Sequence, residues 1–497
     1  MMHREILRRA PGLVDGLPPS LHPVLRRVYA ARGVNASDEL ELSLARLLPV
    51  SSLDGVERAV AVLLEHLARR SRIVVVGDFD ADGATSSALV VRQLVKLGFP
   101  DVRFRVPDRM RHGYGLTPVL VEELVPDAPQ LIITVDNGVA ALPGIECARR
   151  HGMEVLVTDH HLPGAVLPEC AAMVNPNLHG AQFGSRALAG VGVAFYLMAA
   201  LTRELEQQRG ERQPSPAELL DLVALGTVAD LVPLDRNNRI LVSEGLRRIR
   251  MGRCAVGIRA LAEVAGRKQS DLQAQDLGFY LAPRVNAAGR LDDMTVGIRC
   301  LVTDDAGEAR GLAERLQQLN VERRELEARM RDEAVEAVKR LRISEGSLPA
   351  GVALFDDGWH AGVVGLVASR LKDRLHRPVI ALAPAEDGWL RGSARSVAGV
   401  HVRDVLERID TLHPGLIERY GGHAMAAGLT LARGGLERFS AAFADEVARW
   451  LSPDKMRGVI ESDGALAPSE LGLDTAEALR QGGPWGQAFA EPMFDGE

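Results

Sequence analysis

Short apolar runs alternate with stretches of helical periodicity between about residues 72 and 235. The runs at 73–76, 102–106, 131–135 and 155–157 are strand length and rich in β-branched side chains, with helices predicted between them near 84–97, 117–125 and 139–151. That alternation predicts an α/β fold, a parallel sheet with covering helices. Further helices are expected at 188–208 and 215–231, and 239–300 reads as mostly helical with several turns. From 305 to 342 charges recur every few residues without a proline, which predicts one long, largely solvated helix bridging two domains. The segment 343–351 reads as a boundary. Beyond it, strands are predicted at 351–355, 378–384, 389–395 and 428–431 and helices near 362–375, 402–410 and 435–451, a second and smaller α/β domain. From about 457 a strand-like GVIESDGAL leads into a Gly/Pro-rich end too short and irregular for a domain.

Composition narrows the class. At 497 residues the chain should hold two to four domains, and 46% hydrophobic with 25% charged residues excludes a fibrous or mostly disordered protein. Cys147, Cys170, Cys254 and Cys300 lie far apart with no CxxC or Cys/His finger spacing, so neither a disulfide framework nor a structural zinc is expected, and a reducing cytoplasm is. No apolar run approaches the roughly 20 residues that cross a bilayer, so no membrane partner is expected. A formal charge of −7 excludes a protein that coats nucleic acid over its whole surface and leaves a local basic groove compatible.

The acids fall where the strands end. The first run leads into GDFDADG (77–83), the third into Asp136, and the fourth into Asp159, His160 and His161. Parallel strands share the edge at which open α/β sheets bind ligands, so these groups should converge. Asp78, Asp80 and Asp82 alternate, and an extended backbone would point all three the same way. Adjacent carboxylates raise one another's pKa unless divalent cations neutralise them. Asp230, in LGTVADLVPL, is a candidate fourth side whose spacing alone carries little weight. Taken singly, Asp136 fits a helix N-cap better than a ligand; the D-x-D-x-D run and the D-H-H triplet together favour metal. Carboxylates and imidazoles without thiolate select Mn²⁺ or Mg²⁺ over structural zinc. Two such ions, about 3.5–4 Å apart, would activate water for in-line attack, so phosphoester hydrolysis is the predicted reaction class. No GxxxxGK[ST] or GxGxxG occurs at these strand ends, against nucleotide-triphosphate motors and dinucleotide enzymes.

GDFDADG (77–83), TVDNG (134–138), VTDHH (157–161) and GTVADLVPL (226–234), in that order, resemble the four signatures of the DHH phosphoesterase superfamily. RHGYGL (111–116), APRVNAAGRLDD (282–293), GWHAGVVGLVASRL (358–371), RGSAR (391–395) and GGHAMAAG (421–428) narrow the resemblance, over about 50–495, to its bacterial single-strand-specific 5′→3′ DNA exonucleases. The resemblance implies two manganese or magnesium ions held by Asp80, Asp82, Asp136, His160 and Asp230, with Asp136 as the bridge. It implies that His161 faces the scissile phosphate while Asp159 orients a neighbouring imidazole. Many members of the superfamily carry a histidine where this chain has Val76, and Asp78 is the expected compensating ligand. The implied organisation is an N-terminal segment (1–50), a DHH catalytic domain (51–305), a connecting long helix (306–345), a DHH-associated substrate-binding domain (346–452) and the start of a truncated oligonucleotide/oligosaccharide-binding (OB) fold (453–497).

In the second domain the resemblance implies that RGSAR and GGH grip substrate phosphates. Gly421 and Gly422 would let backbone N–H groups approach an anion, with Ser393, Arg395 and His423 as donors; alone, GGH reads as a turn. Met425 and its neighbouring alanines are expected in the core. Arg109, Tyr114, Arg284, Asn286, Arg290 and Arg370 complete the expected substrate contacts. Tyr114 either stacks on a base or ribose or packs on the sheet. Arg284 and Arg290 are placed on a loop formed by Pro283 and 286–289. Between Arg236 and Arg290 eleven Lys or Arg stand against four acids, a net of +7, suited to a polyanion; for Arg247, Arg248 and Arg250 a solvated helix face fits equally. The expected protein is a cytoplasmic monomer that degrades single-stranded DNA to 5′-mononucleotides in recombination and repair, with a helicase and a single-strand-binding protein as partners. The alternatives are a short-oligonucleotide or cyclic-dinucleotide phosphodiesterase, a pyrophosphatase behind it, and a non-catalytic DHH scaffold.

Overall fold

The computed structural model describes residues 4–109, 111–345, 348–451 and 458–496. The chain forms two units, one of Arg9–Asn320 with Asp463–Glu497 and one of Met1–Arg8 with Val321–Ser462.

The first unit holds five parallel strands, β1 (Arg72–Val76), β2 (Asp101–Arg105), β3 (Leu131–Val135), β4 (Glu154–Thr158) and β5 (Ala172–Val174), in the spatial order β2-β1-β3-β4-β5. Helices α1 (Ala81–Lys96), α2 (Pro118–Leu124), α3 (Leu142–Arg150) and α4 (Gly190–Arg209) follow from the predicted periodicity. Alternate strand residues serve opposite faces. Ile73, Val75, Ile133 and Leu156 join the core that contains Leu89 of α1 and Val193 of α4. Val74, Val76, Ile132 and Val157 join a second core with Leu120 of α2 and Ile145 of α3. A sheet covered on both sides needs apolar residues at every position, which is why the strands read as unbroken runs. Three residues carry too little pattern to reveal β5. The strand order reverses between β1 and β3, leaving a crevice at their C-terminal ends.

Beyond α5 (Leu220–Ala229) and α6 (Arg236–Arg250), the stretch expected as a loop at 283–289 is helix α7 (Ala282–Leu291). Pro283 lies in its first turn, where the missing N–H goes unneeded, and Val285, Ala287 and Ala288 supply a buried face. The long helix α8 (Ala306–Glu345) forms, but it is amphipathic rather than largely solvated: Ala309, Ala313, Leu316 and Leu319 bury one stripe in the core of the first unit.

The second unit has strands β6 (Val352–Phe355), β7 (Val379–Pro384), β8 (Trp389–Arg395), β9 (Arg419–Gly422) and β10 (Ala426–Ala432), ordered β9-β10-β8-β7-β6. Only β6 and β7 run parallel. Its core gathers Ile380, Leu382, Leu390, Leu429, Phe439 and Phe443. Met425 departs from expectation: it is 44% exposed, because it falls in the short connection between β9 and β10 rather than in a strand that packs on the core. Residues Gly458–Ser462 pair in parallel with Arg4–Arg8. From Asp463 onward the chain returns to the first unit, where Trp485 and Phe489 stack 5.2 Å apart and both rings lie near Tyr29; the described residues of 453–497 form no barrel. Residues 453–457 fall outside the described residues.

Candidate metal centre

The crevice between β1 and β3 gathers the predicted acids by a different local geometry from the extended strand anticipated for DFDAD. Asp80 is the N-cap of α1, its Oδ1 accepting the N–H groups of Asp82 and Gly83 at 3.0 Å each, so Asp82 lies in the first helical turn. The helical turn parts the three aspartates. Asp78 and Asp80 come together with Asp136, while Asp82 meets His160 and Asp230, all donor atoms of each group lying within 4.8 Å of one another. Asp136, His160 and His161 form a third such group that joins the other two. His160 Nε2 lies 3.1 Å from Asp136, 3.5 Å from Asp230 and 4.0 Å from Asp82.

Asp136 caps no helix, since α3 begins at Leu142 with Ala141 as its N-cap. Its backbone adopts φ +61°, a left-handed conformation that aspartate tolerates and that collects at functional sites. Asn137 beside it donates from Nδ2 to Val76 O (3.1 Å) and Val135 O (2.9 Å), tying the ends of β1 and β3 together. The N-terminus of α4 closes the site: Gly190 N–H and Val191 N–H donate to the Asp82 carboxylate at 2.6 and 3.0 Å. A Cβ on Gly190 would stand 2.6 Å from the Asp136 Cβ, so only glycine fits there.

The D-H-H triplet is held as a unit. Asp159 Oδ1 accepts from the backbone N–H of His160 (2.8 Å) and His161 (3.1 Å) and pairs with His161 Nδ1 at 2.8 Å, while Oδ2 accepts from Val139 N–H at 2.9 Å. Asn175 and Asn177 donate to the carbonyls of His161 (2.9 Å) and His160 (2.6 Å). Sequence reasoning missed this pair; the N-P-N turn after β5 was its one visible signal.

Burial, followed by the charge of Asp80, raises Asp78 well above the ordinary carboxylate range and lifts Asp82 to about 7. Burial and the neighbouring aspartates also raise Asp136 and Asp230. Burial pushes His160 down to about 4, a neutral imidazole able to ligate. For His161 burial works against the proton, but the hydrogen bond and charge of Asp159, with Asp230 and Asp78, prevail and raise it to about 9. Burial would also raise Asp159, yet its bond to His161 holds it below the usual value. Asp78 Oδ1 is buried without a hydrogen-bond partner, and among the described residues the ion pairs of Asp82, Asp136 and Asp230 are all with His160 or His161. Mutually repelling carboxylates beside a neutral imidazole, with no sulfur, fit hard divalent cations.

The expected substrate residues meet varied fates. The Tyr114 hydroxyl donates to Asp136 O at 3.2 Å, its ring meets His161 edge-on at 5.9 Å, and half of the residue is exposed. Arg109 lies 3.7 Å over the Phe79 ring and donates to Gly289 O. Asn286 Oδ1 accepts the Ala81 N–H at 2.8 Å, so it braces the start of α1 rather than offering that oxygen to substrate. Arg284, in α7 rather than on a loop, is buried and donates to Tyr280 O in the turn before the helix; Arg290 lies half-buried six residues further along α7. In the second unit, Arg395 Nη1 donates to Ser393 Oγ at 2.8 Å, Gly422 takes φ +139°, and His423 is exposed. Arg370 is ion-paired with Glu327 at 3.0 Å.

This sheet edge and its acids define a DHH-type phosphoesterase centre. Residues 72–227 match the model of the DHH family, N-terminal domain, and 348–449 match the DHHA1 domain. The chain is 56% identical over 495 residues to the single-stranded-DNA-specific exonuclease RecJ of Dickeya dadantii, covering 99% of this chain and 86% of that protein. It is similar to the crystal structure of RecJ in complex with Mn²⁺ from Thermus thermophilus, with TM-score 0.80 and 34% identity over 98% of this chain and 69% of that one. The Mg²⁺ complex of RecJ from the same organism gives TM-score 0.74 and 32% identity over 98% and 68%. The chain belongs to the RecJ family of single-stranded-DNA-specific exonucleases and is a hydrolase.

Proposed function

We propose that this chain hydrolyses single-stranded DNA from the 5′ end, releasing 5′-mononucleotides in recombination and repair. The convergence of Asp78, Asp80, Asp82, Asp136, Asp230 and His160 at the reversal point of the sheet carries this reading. Asp80, Asp82, Asp136, His160 and Asp230, with Asp78, would hold two Mn²⁺ or Mg²⁺ ions, with Asp136 as the carboxylate that would serve both. When bound, such ions polarise a phosphate and lower the pKa of water.

The remaining work belongs to the side chains. His161, whose proton the Asp159 carboxylate favours and whose side chain is 44% exposed, can donate to a phosphate oxygen as negative charge builds there. Asp159 is a positioning residue that fixes ring and tautomer. The exposed face of Tyr114 can stack on a base or ribose, and Ser393, Arg395, Gly422 and His423 would hold phosphates. Four free cysteines suit the reducing cytoplasm. A monomer working with a helicase and a single-strand-binding protein completes the reading.

The test is incubation with Mn²⁺ and 5′- or 3′-labelled long single strands, duplexes and dinucleotides. Mononucleotide release from the 5′ end of long single strands is expected; cleavage confined to dinucleotides would instead favour a short-oligonucleotide phosphodiesterase. Asp136→Ala should lower kcat by at least about 10³-fold, roughly 4 kcal/mol of transition-state stabilisation, and retained activity would remove Asp136 from the mechanism.

A further inference from the structure

On the α2–α3 face of the sheet, Glu122, Cys147 and the exposed His151 bring a carboxylate, a thiol and an imidazole together, with all three donor atoms within 4.8 Å of one another. One carboxylate oxygen, Glu122 Oε1, lies 3.4 Å from Cys147 Sγ and 3.0 Å from His151 Nε2. We propose that this triad is a second metal site, specific for a thiophilic ion such as Zn²⁺ and separate in ligand chemistry from the carboxylate centre.

Cys147 and His151 stand four residues apart at the end of α3, one helical turn, so both project to the same side. Glu122, on α2, faces them. Zinc bonds of about 2.0–2.3 Å at tetrahedral angles place neighbouring donors roughly 3.3–3.7 Å apart, close to the two separations from Glu122 Oε1, with the third pair of donors within 4.8 Å. A single cation replaces the two protons that Glu122 now receives, and carboxylate and thiolate together balance its double charge. Cys147 is buried while Glu122 and His151 are exposed, so an ion enters from solvent and leaves one position for water. Sequence spacing hid the site because the ligands come from two helices rather than from a finger. A bound ion would clasp α2 to α3 and stabilise the folded state by mass action.

Cobalt supplies the test, because the carboxylate centre contains no sulfur and cannot produce a thiolate-to-cobalt charge-transfer band. Full-length protein pre-loaded with Mn²⁺ is titrated with Co²⁺ while near-ultraviolet absorption is followed. A saturable band with one equivalent per chain is expected, abolished in Cys147→Ser and displaced by Zn²⁺. His151→Ala and Glu122→Gln change exposed positions and should fold normally; each should weaken Zn²⁺ binding at least 10-fold, the lower end of the loss seen for supporting groups around metal sites. Cys170→Ser should leave the band intact. Absence of the band at saturating Co²⁺, its survival in Cys147→Ser, or unaltered affinity in both exposed-ligand variants would overturn the proposal.

Discussion

The acids at the ends of β1 and β3 and the basic stretch from Arg236 to Arg290 are both concentrations of one charge, and the fold treats them in opposite ways. Asp78, Asp82 and Asp136 are buried beside one another, and in the described residues the ion pairs of Asp82 and Asp136 are with histidines only. The basic groups are largely engaged within the first unit. Arg236 pairs with Asp38 at 3.2 Å, Arg247 with Glu244 at 2.7 Å and Lys268 with Asp271 at 3.6 Å. Arg239 is buried 4.3 Å over the Phe489 ring, and Arg267 covers Tyr280 at 3.5 Å. Like charges left uncompensated demand something from outside the chain; charges already paired report architecture. Glu244 and Asp271 are already among the four acids behind the net of +7, so what the fold withdraws from the positive surface is Arg236, paired with Asp38, and the buried Arg239 and Arg284.

The largest effect that sharpens this contrast is expected at Asp159. Asp159→Asn should lower kcat on the order of 100-fold with a smaller change in KM, because the amide cannot hold His161 protonated, and the alkaline limb of the pH–rate profile should move toward neutrality. An unchanged profile would separate Asp159 from His161. On the basic side, Arg239→Ala should cost about 1–2 kcal/mol of stability through lost ring contact and packing while kcat stays within twofold; chemical denaturation and steady-state kinetics read the two separately. A large loss of activity without loss of stability would break the comparison.

His66 lies between the two cases, a buried ionisable group held neutral. Its Nδ1 meets Ser71 Oγ at 2.9 Å, and burial lowers its pKa from the ordinary 6.5 despite the opposing charge of Glu154. Above pH 6.5 neither state binds the proton; below it the unfolded chain takes up a proton that the folded one resists, so stability falls with pH by at most about 1.4 kcal/mol per unit from this group. His66→Gln should flatten that slope between pH 6.5 and 5.5 in urea melts. The smallest effect is expected at the exposed Arg247, where Arg247→Ala should shift stability by less than about 0.5 kcal/mol and leave the salt dependence of single-strand binding unchanged.

The strands and the acids behind them were legible because a doubly covered parallel sheet writes itself as β-branched runs, and because ligands collect at one edge. Legibility failed where tertiary contacts overrode local pattern. Capping by Asp80 turned DFDAD into a helix start, placing Asp82 by rotation rather than alternation. Alanine burial made a helix of 282–291 and set the Asn286 side-chain oxygen to brace the start of α1. β9, with two glycines in four residues, had little strand propensity to betray it. Asn175 and Asn177 matter through carbonyls they hold, and their N-P-N spacing announces a turn without saying which carbonyls it serves.

The most direct test is equilibrium Mn²⁺ binding followed by the electron paramagnetic resonance of the free ion. Two ions should leave the free pool per chain, and Asp136→Ala, still folded by circular dichroism, should lose at least one of them. If the wild-type chain leaves the Mn²⁺ signal undiminished, or Asp136→Ala binds as the wild type does, the buried carboxylates are not a metal centre.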